Sequence, residues 1–338
     1  SYNWALDRNY PVLYVLDGES NFIHTTGSVD FLSSRSEIPE LIIVAITSTI
    51  RVRDFTQTDW SSHWIGGGGA NNFKSFLSKE LIPEIEKEYR ANKFRILSGH
   101  SAGGQFVLYS LTAEPSLFNA YFSISPSLDW DNNLPQRSLE ESFQHTDSLK
   151  AFLYFAWSDD LGQALTNDLR LLKTLETKSP SKFRWVGKGF PDETHVSITL
   201  LAHIDALRQL YAGYRLHDDL LVKGFNFAEK HFEEVSDKVG YSIPVPEDVI
   251  NNFGYEALNN GNIQEAMDFF KRNIDLNPNS ANAFDSMADA YEEAGMWDDA
   301  LKSSERAVEL ANKYGDPGLS NFIKHSNRIK EKYKPIEK

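Results

Sequence analysis

The chain has 338 residues, 41% hydrophobic and 24% charged, and its 34 Lys and Arg against 48 Asp and Glu leave a formal charge of −14. That length predicts two domains rather than one, and the acidic balance argues against a broad nucleic-acid or anionic-membrane footprint, which needs a basic surface. There is no cysteine, which excludes disulfides, thiolate catalysis and Cys-ligated zinc, and no apolar run approaches a bilayer span. The compartment is left open between cytoplasm and periplasm. The numbering begins at Ser1 and reaches the strand-like PVLYVLDG by residue 11, so a preceding segment is expected to be missing and no targeting sequence is visible.

In chain order, short apolar and β-branched runs predict buried parallel strands at Val12–Leu16, Leu41–Ile46, Phe94–Leu97, Ala120–Ile124, Phe152–Trp157 and Phe183–Val186. Helical spacing falls between them, at Phe73 through Ile85, Phe106 to Leu111 and Leu165 to Leu175. Strand alternating with helix predicts an α/β fold with a mostly parallel sheet. The run Gly66-Gly-Gly-Gly69 reads as a loop into a helix start, because the lysine and hydroxyl of a phosphate-binding loop are absent. Beyond residue 215 the pattern becomes continuous helix, broken near Pro244 and Pro246. A self-similarity of period 34 aligns Gly254 with Ala288, Ala257 with Tyr291, Gly261 with Gly295, Ala266 with Ala300 and Leu276 with Leu310, the period and small-residue pattern of a tetratricopeptide repeat. With only two evident copies, the repeats are expected to lean on flanking helices at about 216–238 and 318–334. The predicted division is 1–215 as the α/β domain, 216–246 as a helical linker and 247–338 as the repeat region.

One stretch carries chemistry. RILSGHSAGGQFVLY places Ser101 between Gly99 and Gly103 where an apolar strand gives way to an apolar helix. That context turns a common G-x-S-x-G into a nucleophile elbow, a tight turn that pushes the serine hydroxyl outward, and a side chain at either flanking glycine is expected to collide with its neighbours. A hydroxyl attacks poorly without a base, and in this fold class an acid and then a histidine follow the serine. Of the downstream histidines, His195 lies in GFPDETHVS, a polar loop after the strand FRWVG, whereas His203 sits in the helical run ITLLAHIDAL, and His145, His217 and His231 have weaker contexts. His195 is the candidate base. The acid should follow the strand Phe152–Trp157, where Asp159 and Asp160 both stand. Asp160 is preferred, a helix-capping role competes for each, and a dyad without an acid is the remaining option. Backbone N–H donors for an oxyanion hole are expected at Ala102 and in the Leu16-Asp17-Gly18-Glu19 turn, with Gly18 nominated there. Asp17 reads as a turn residue, and no metal-ligand motif accompanies it.

The segments YPVLYVLDG, RVRDFT, GGGANNFKSFLSKELIPEIEKEY, LSGHSAGGQ, LFNAYFSISPSLDWDN and the late histidine resemble the esterase family of α/β hydrolases that includes esterase D, enterochelin-type siderophore esterases and feruloyl esterases. The resemblance spans roughly residues 8–215, and a subset of bacterial members is similar further in carrying C-terminal tetratricopeptide repeats. It implies ester hydrolysis without a cofactor, with Ser101 as nucleophile, His195 as base and the LDG turn in the oxyanion hole. It also implies that the loop of Arg51, Arg53 and Asp54 borders the site; salt-bridged bracing and substrate contact are equal readings there. Ser125-Pro-Ser-Leu-Asp-Trp130 is similar to the family's SPSLWW segment with Asp129 replacing a tryptophan. Trp130 is a candidate pocket wall, although an aromatic there is more often core.

The reading is a serine hydrolase of carboxylic esters acting through an acyl-enzyme on Ser101. One alternative is a non-catalytic binding module that uses the repeat surface for a protein partner or self-association; another is the same machinery acting on amides or thioesters. Trp60, Trp64 and Trp130 hint at an aromatic or amphipathic substrate, and siderophore trilactone, feruloyl sugar and short-chain esters all fit.

Overall fold

The computed structural model describes residues 2–6, 8–48, 50–62 and 66–332; Trp64 lies outside them. The chain divides into two units, one of 9–215 with 238–241, the other of 1–8, 216–237 and 242–338.

The first unit alternates strand and helix: β1 (Tyr10–Leu16), α1 (Gly18–Ser33), β2 (Ile42–Ile46), α2 (Arg51–Phe55), α3 (Ala70–Phe76), α4 (Ile82–Glu88), β3 (Ala91–His100), α5 (Ala102–Ala113), β4 (Ala120–Ile124), α6 (Trp130–Gln144), β5 (Phe152–Trp157), α7 (Gly162–Lys178), β6 (Arg184–Gly189) and α8 (Ile198–Leu210). A π-helical turn at Leu77–Leu81 joins α3 to α4. The strands form one 6-stranded sheet in the order β2-β1-β3-β4-β5-β6, parallel throughout. Every residue of β1 and β4 is buried, as expected of strands covered on both faces. On one face Tyr14, Leu97, Tyr121, Leu153 and Phe155 meet Phe106 and Leu111 of α5 in a single core. Helices α1 and α8 pack against each other and lie over the sheet. Burying each of these large side chains contributes roughly 1.5–3 kcal/mol.

Three helices fall outside the segments whose periodicity predicts a helix; one is the short α2, which carries Arg51, Arg53 and Asp54 where a loop is expected, because five residues are too few to show a period. In α1 the apolar Phe22, Ile23 and Phe31 are exposed, while Thr25 and Ser28 are buried with Val29 and Leu32, so the face that packs is not the face that is greasy. Helix α6 contains Pro135 and opens through Asp131, Asn132 and Asn133 at positive φ, which erases a helical signal. The Gly66–Gly69 loop is tied down: Gly68 N–H donates to Thr56 Oγ1 at 3.2 Å and Gly69 N–H to the Arg53 carbonyl at 2.8 Å.

The second unit is helical: α9 (Asp218–Leu221), α10 (Phe225–Val239, whose last turn belongs to the first unit), α11 (Glu247–Asn259), α12 (Ile263–Leu276), α13 (Ala281–Glu293), α14 (Trp297–Tyr314) and α15 (Leu319–Lys332). Helices α11 and α12 pack as a pair, as do α13 and α14. At the first crossing, a Cβ on Gly254 would lie 2.3 Å from the Phe270 ring, so glycine there makes room for that ring. A polar network joins α13 to α15. His325 Nδ1 donates to Asp285 at 2.6 Å and its Nε2 lies 3.3 Å from Asp289, while Arg328 meets Glu292 at 2.9 Å. Asp285, Asp289 and His325 bring donor atoms within 4.8 Å of one another, and protonated His325 with Arg328 supplies the compensating positive charge.

The hydrogen bond to Asp285 raises the His325 pKa against the opposing effect of burial. A raised folded pKa stabilises below the unfolded value of about 6.5 and is lost as pH rises through the folded value. Titration of His325 by NMR should therefore show a midpoint above the ordinary imidazole value of about 6.5. Asp285→Asn should lower that midpoint and weaken the helical unit most on the acidic side; an unmoved midpoint would contradict the assignment.

Candidate active site

The strand order places the reversal of chain direction between β1 and β3, and in open α/β sheets the carboxyl ends of the strands at such a point form a crevice. Three adjacent strand ends there carry non-glycine residues at positive φ: Asp17 after β1 (51°), Ser101 after β3 (59°) and Ser125 after β4 (37°). Such conformations cost about 1–3 kcal/mol each and concentrate where the backbone must aim a group.

Ser101, with ψ −118°, occupies the whole turn between β3 and α5. The turn is closed so tightly that a Cβ on Gly99 would lie 2.4 Å from the Gly103 carbonyl oxygen. Gly103 itself departs from the expectation that both flanking glycines exclude a side chain. Its Cβ would meet Asp17 Oδ2 at 3.4 Å, an ordinary contact, whereas one on Gly104 would lie 2.9 Å from the Ile124 carbonyl. Clearance is therefore needed at 99 and 104. Hydrogen bonds fix the turn from both sides: Ser101 N–H donates to Ile124 O at 3.0 Å, and Ser127 N–H donates to Ser101 O at 3.1 Å. The Ser127 and Ser101 hydroxyls are 3.4 Å apart.

Gly18 and Ala102 are the first residues of α1 and α5. Their N–H groups have no intrahelical acceptor and stand at the positive ends of two helix dipoles on neighbouring strands. Arg51 ties these turns together. Its Nε and Nη2 donate to Asp17 at 2.9 and 3.0 Å, and Nη2 also reaches the His100 carbonyl at 3.4 Å.

His195 is exposed on the loop between β6 and α8. Its carbonyl accepts a hydrogen bond from His100 Nε2, and the two imidazoles lie 4.7 Å apart between centroids. Burial, helped by the charge of His195, lowers the His100 pKa to about 4, so His100 is a neutral donor near pH 7. Among the described residues no hydrogen bond joins His195 to Ser101, Asp159 or Asp160. Asp160 instead accepts from Ser158 N–H at 3.3 Å and Ser158 Oγ at 2.9 Å; it does not cap α7, whose N-cap is Leu161 without a side-chain bond. Asp159 is exposed, and its N–H donates to Glu193 O at 2.9 Å, linking the two loops. His195 and Asp160 line one cavity of about 190 Å³ with Ser127, Asp129 and Asp168.

The remaining nominees lie elsewhere. Arg53 pairs with Asp54 at 2.7 Å, Asp54 also accepts from Ser48 at 2.8 Å, and neither lines the cavity. Trp130 is 6% exposed, donates to Thr58 at 3.2 Å and meets Trp60 edge-on at 5.2 Å, a packed position outside the cavity lining. A Ser–His hydrogen bond does exist, from Ser98 Oγ to His203 Nε2 at 2.7 Å. With His203 Nδ1 donating to Thr199 O at 2.7 Å, its acceptor nitrogen is fixed. Both residues are sealed in the interior, at 0% and 1% exposure, and burial lowers the His203 pKa to about 3; this pair ties α8 to the sheet. Sequence reading missed His100, Ser127 and Asp168. The first two sit inside quoted motifs, in GHSAG and SPSLDW, but Asp168 has no local signal, being one polar residue on an amphipathic helix. It is 4% exposed, and burial, then the charge of Asp160, raises its pKa to about 7.

Residues 2–196 match the family described as "Putative esterase". The chain belongs to this esterase family. Among its relatives, the ferri-bacillibactin esterase BesA of Bacillus subtilis is 37% identical over 142 residues, 36% of this chain and 49% of the relative. The apo-salmochelin esterase of Escherichia coli is 35% identical over 136 residues, 35% of this chain and 42% of the relative. The chain thus spans about half the length of the curated relatives it matches. An IroE-like serine hydrolase from Shewanella oneidensis superposes with a TM-score of 0.69 at 26% identity, covering 80% of this chain and 89% of that one. The α/β-hydrolase core of this chain is followed by an all-helical extension, and no described helix is long and apolar enough to cross a membrane.

The elbow geometry separates its glycines. Gly99→Ala should cost about 3 kcal/mol or more through overpacking, whereas Gly103→Ala, within a helix, should stay within about 1 kcal/mol of wild type. Thermal melts of the two variants check this, and equal losses would refute the contact assignment.

Proposed function

We propose that the protein is a serine esterase in which Ser101 is the nucleophile. The observation that supports this most is the strained Ser101 turn at the reversal point of the sheet, beside two helix N-termini that can hold an oxyanion. Ser101 Oγ forms a bond to the ester carbonyl carbon as its proton passes to His195, and the carbonyl oxygen becomes an oxyanion facing the Ala102 and Gly18 N–H groups. Collapse breaks the ester C–O bond, and His195 returns the proton to the departing alcohol. Water then attacks the acyl-serine by the same route and releases the carboxylic acid. For this cycle His195 swings off His100 toward Ser101, a movement its exposed loop allows; catalytic hydrogen bonds commonly tighten only with substrate bound. Asp160 is the favoured acid, with Asp159 second, because Asp160 shares the His195 cavity. Arg51 and Asp17 brace the oxyanion turns, and Arg53 pairs with Asp54 on the same short helix α2. The named activities of the relatives, on siderophore esters, support an ester substrate.

Ser101→Ala and His195→Ala should each lower kcat on a p-nitrophenyl ester by at least about 10³-fold with little change in Tm. Intact-mass spectrometry should show one fluorophosphonate adduct on wild type and none on Ser101→Ala; labelling of both would move the nucleophile elsewhere. Asp160→Asn should cost more than Asp159→Asn, and equal small losses would favour a Ser–His dyad.

We further read the helical unit as a tetratricopeptide pair with flanking helices that docks a protein partner. The support is the sequence period and the packed pairs α11–α12 and α13–α14, with Gly254 at a crossing. On this reading residues 9–241 alone should retain ester turnover per molecule, measured with the same p-nitrophenyl ester; a folded fragment without turnover would give the helices a part in the active site instead.

A further inference from the structure

The cavity beside His195 is acidic on every side that carries charge. Its lining includes Asp129, Asp160 and Asp168 with Gln163 and Asn167, and it contains no lysine or arginine. Asp168 projects from α7 and is 4% exposed, yet it accepts no hydrogen bond from any described residue. Asp160 accepts from Ser158 N–H and Oγ, and Gln163 donates its amide to the Asn167 carbonyl oxygen at 3.0 Å; neither bond serves Asp168. Its carboxylate oxygens are not sealed off but reach the cavity, so they stay open to a donor that a ligand brings. Burial, then the charge of Asp160, raises the Asp168 pKa to about 7, and a cation paired with it would draw that value down.

Resting on the esterase reading, we infer that the cavity is a subsite for a positively charged nitrogen on the ester, an alkylammonium group that pairs with Asp168 while the ester carbonyl lies at Ser101. A volume of about 190 Å³ accommodates an aminoalkyl arm, and the backbone and side-chain oxygens of the Ser125–Asp129 loop supply further acceptors for its three N–H donors. A carboxylate placed for an ammonium discriminates strongly against an uncharged analogue, because the analogue leaves the buried group unpaired.

The test compares p-nitrophenyl 6-aminohexanoate with the isosteric p-nitrophenyl heptanoate on the full chain. Wild type should favour the amino ester in kcat/KM by tenfold or more, chiefly through KM, and Asp168→Asn should reduce that ratio at least tenfold. A wild-type ratio near one, or a variant that lowers both substrates in parallel and leaves the ratio unchanged, overturns the inference and leaves a structural role for Asp168. Binding measured separately by calorimetry, with butylammonium chloride against butanol, separates the two proposals. Butylammonium binding lost in Asp168→Asn, in a protein that hydrolyses neither ester, would sink the esterase reading and keep the subsite. Turnover of both esters without butylammonium binding would do the reverse.

Discussion

The contact on which this structure turns is between two pieces of backbone, the α-carbon of Gly99 and the carbonyl of Gly103. Because nothing larger than hydrogen fits there, strand β3 can reverse into α5 within one residue, and that residue, Ser101, is driven to positive φ. The strain is held by the Ser101 and Ser127 backbone bonds to β4 and its loop, and it is offset by the core that α5 builds against Tyr121 and Leu97. A serine in this position cannot relax into the helix or the strand. Its hydroxyl is presented at the crevice by elimination of every other conformation.

Around that turn the other strand ends are organised by polar ties rather than by packing. Arg51 locks the β1 turn through Asp17 and touches the carbonyl before Ser101, so the two helix N-termini are set against each other by one guanidinium. His100, neutral because it is buried, holds the backbone of His195. The residue between the first glycine and the serine of the elbow therefore positions the loop that carries His195. On the far side the Asp159 N–H bond to Glu193 joins the Asp159–Asp160 loop to the same segment. These loops are tied by their backbone, while the exposed His195 ring makes no hydrogen bond to Ser101 or either aspartate among the described residues.

Two serine–histidine relationships coexist within a few residues of β3, and burial separates their roles. Ser98 and His203 are hydrogen bonded and inaccessible; the pair satisfies polar groups under α8 and offers no surface to a substrate. Ser101 and His195 lie on the solvent side of the same strand ends without a bond between them. Proximity of a serine to an imidazole is thus a poor guide here, and access and backbone strain are the better ones.

The elbow, the parallel α/β alternation and the helical character of the C-terminal stretch were legible from local pattern: glycines flanking a serine, apolar runs of strand length, and continuous helical spacing beyond residue 215. Each follows from forces that act over a few residues or between equivalent turns. What the sequence could not disclose depends on distant segments meeting. Helix α1 hides its polar face under α8, so its amphipathic reading inverts; Trp130 spends its indole N–H on Thr58; and the need for Gly104 arises only because β4 ends beside it. Asp168 is the sharpest case. On its own helix it is one more carboxylate, and only the convergence of the β4 and β5 loops with the His195 loop sets it at a cavity without a hydrogen-bond donor among the described residues.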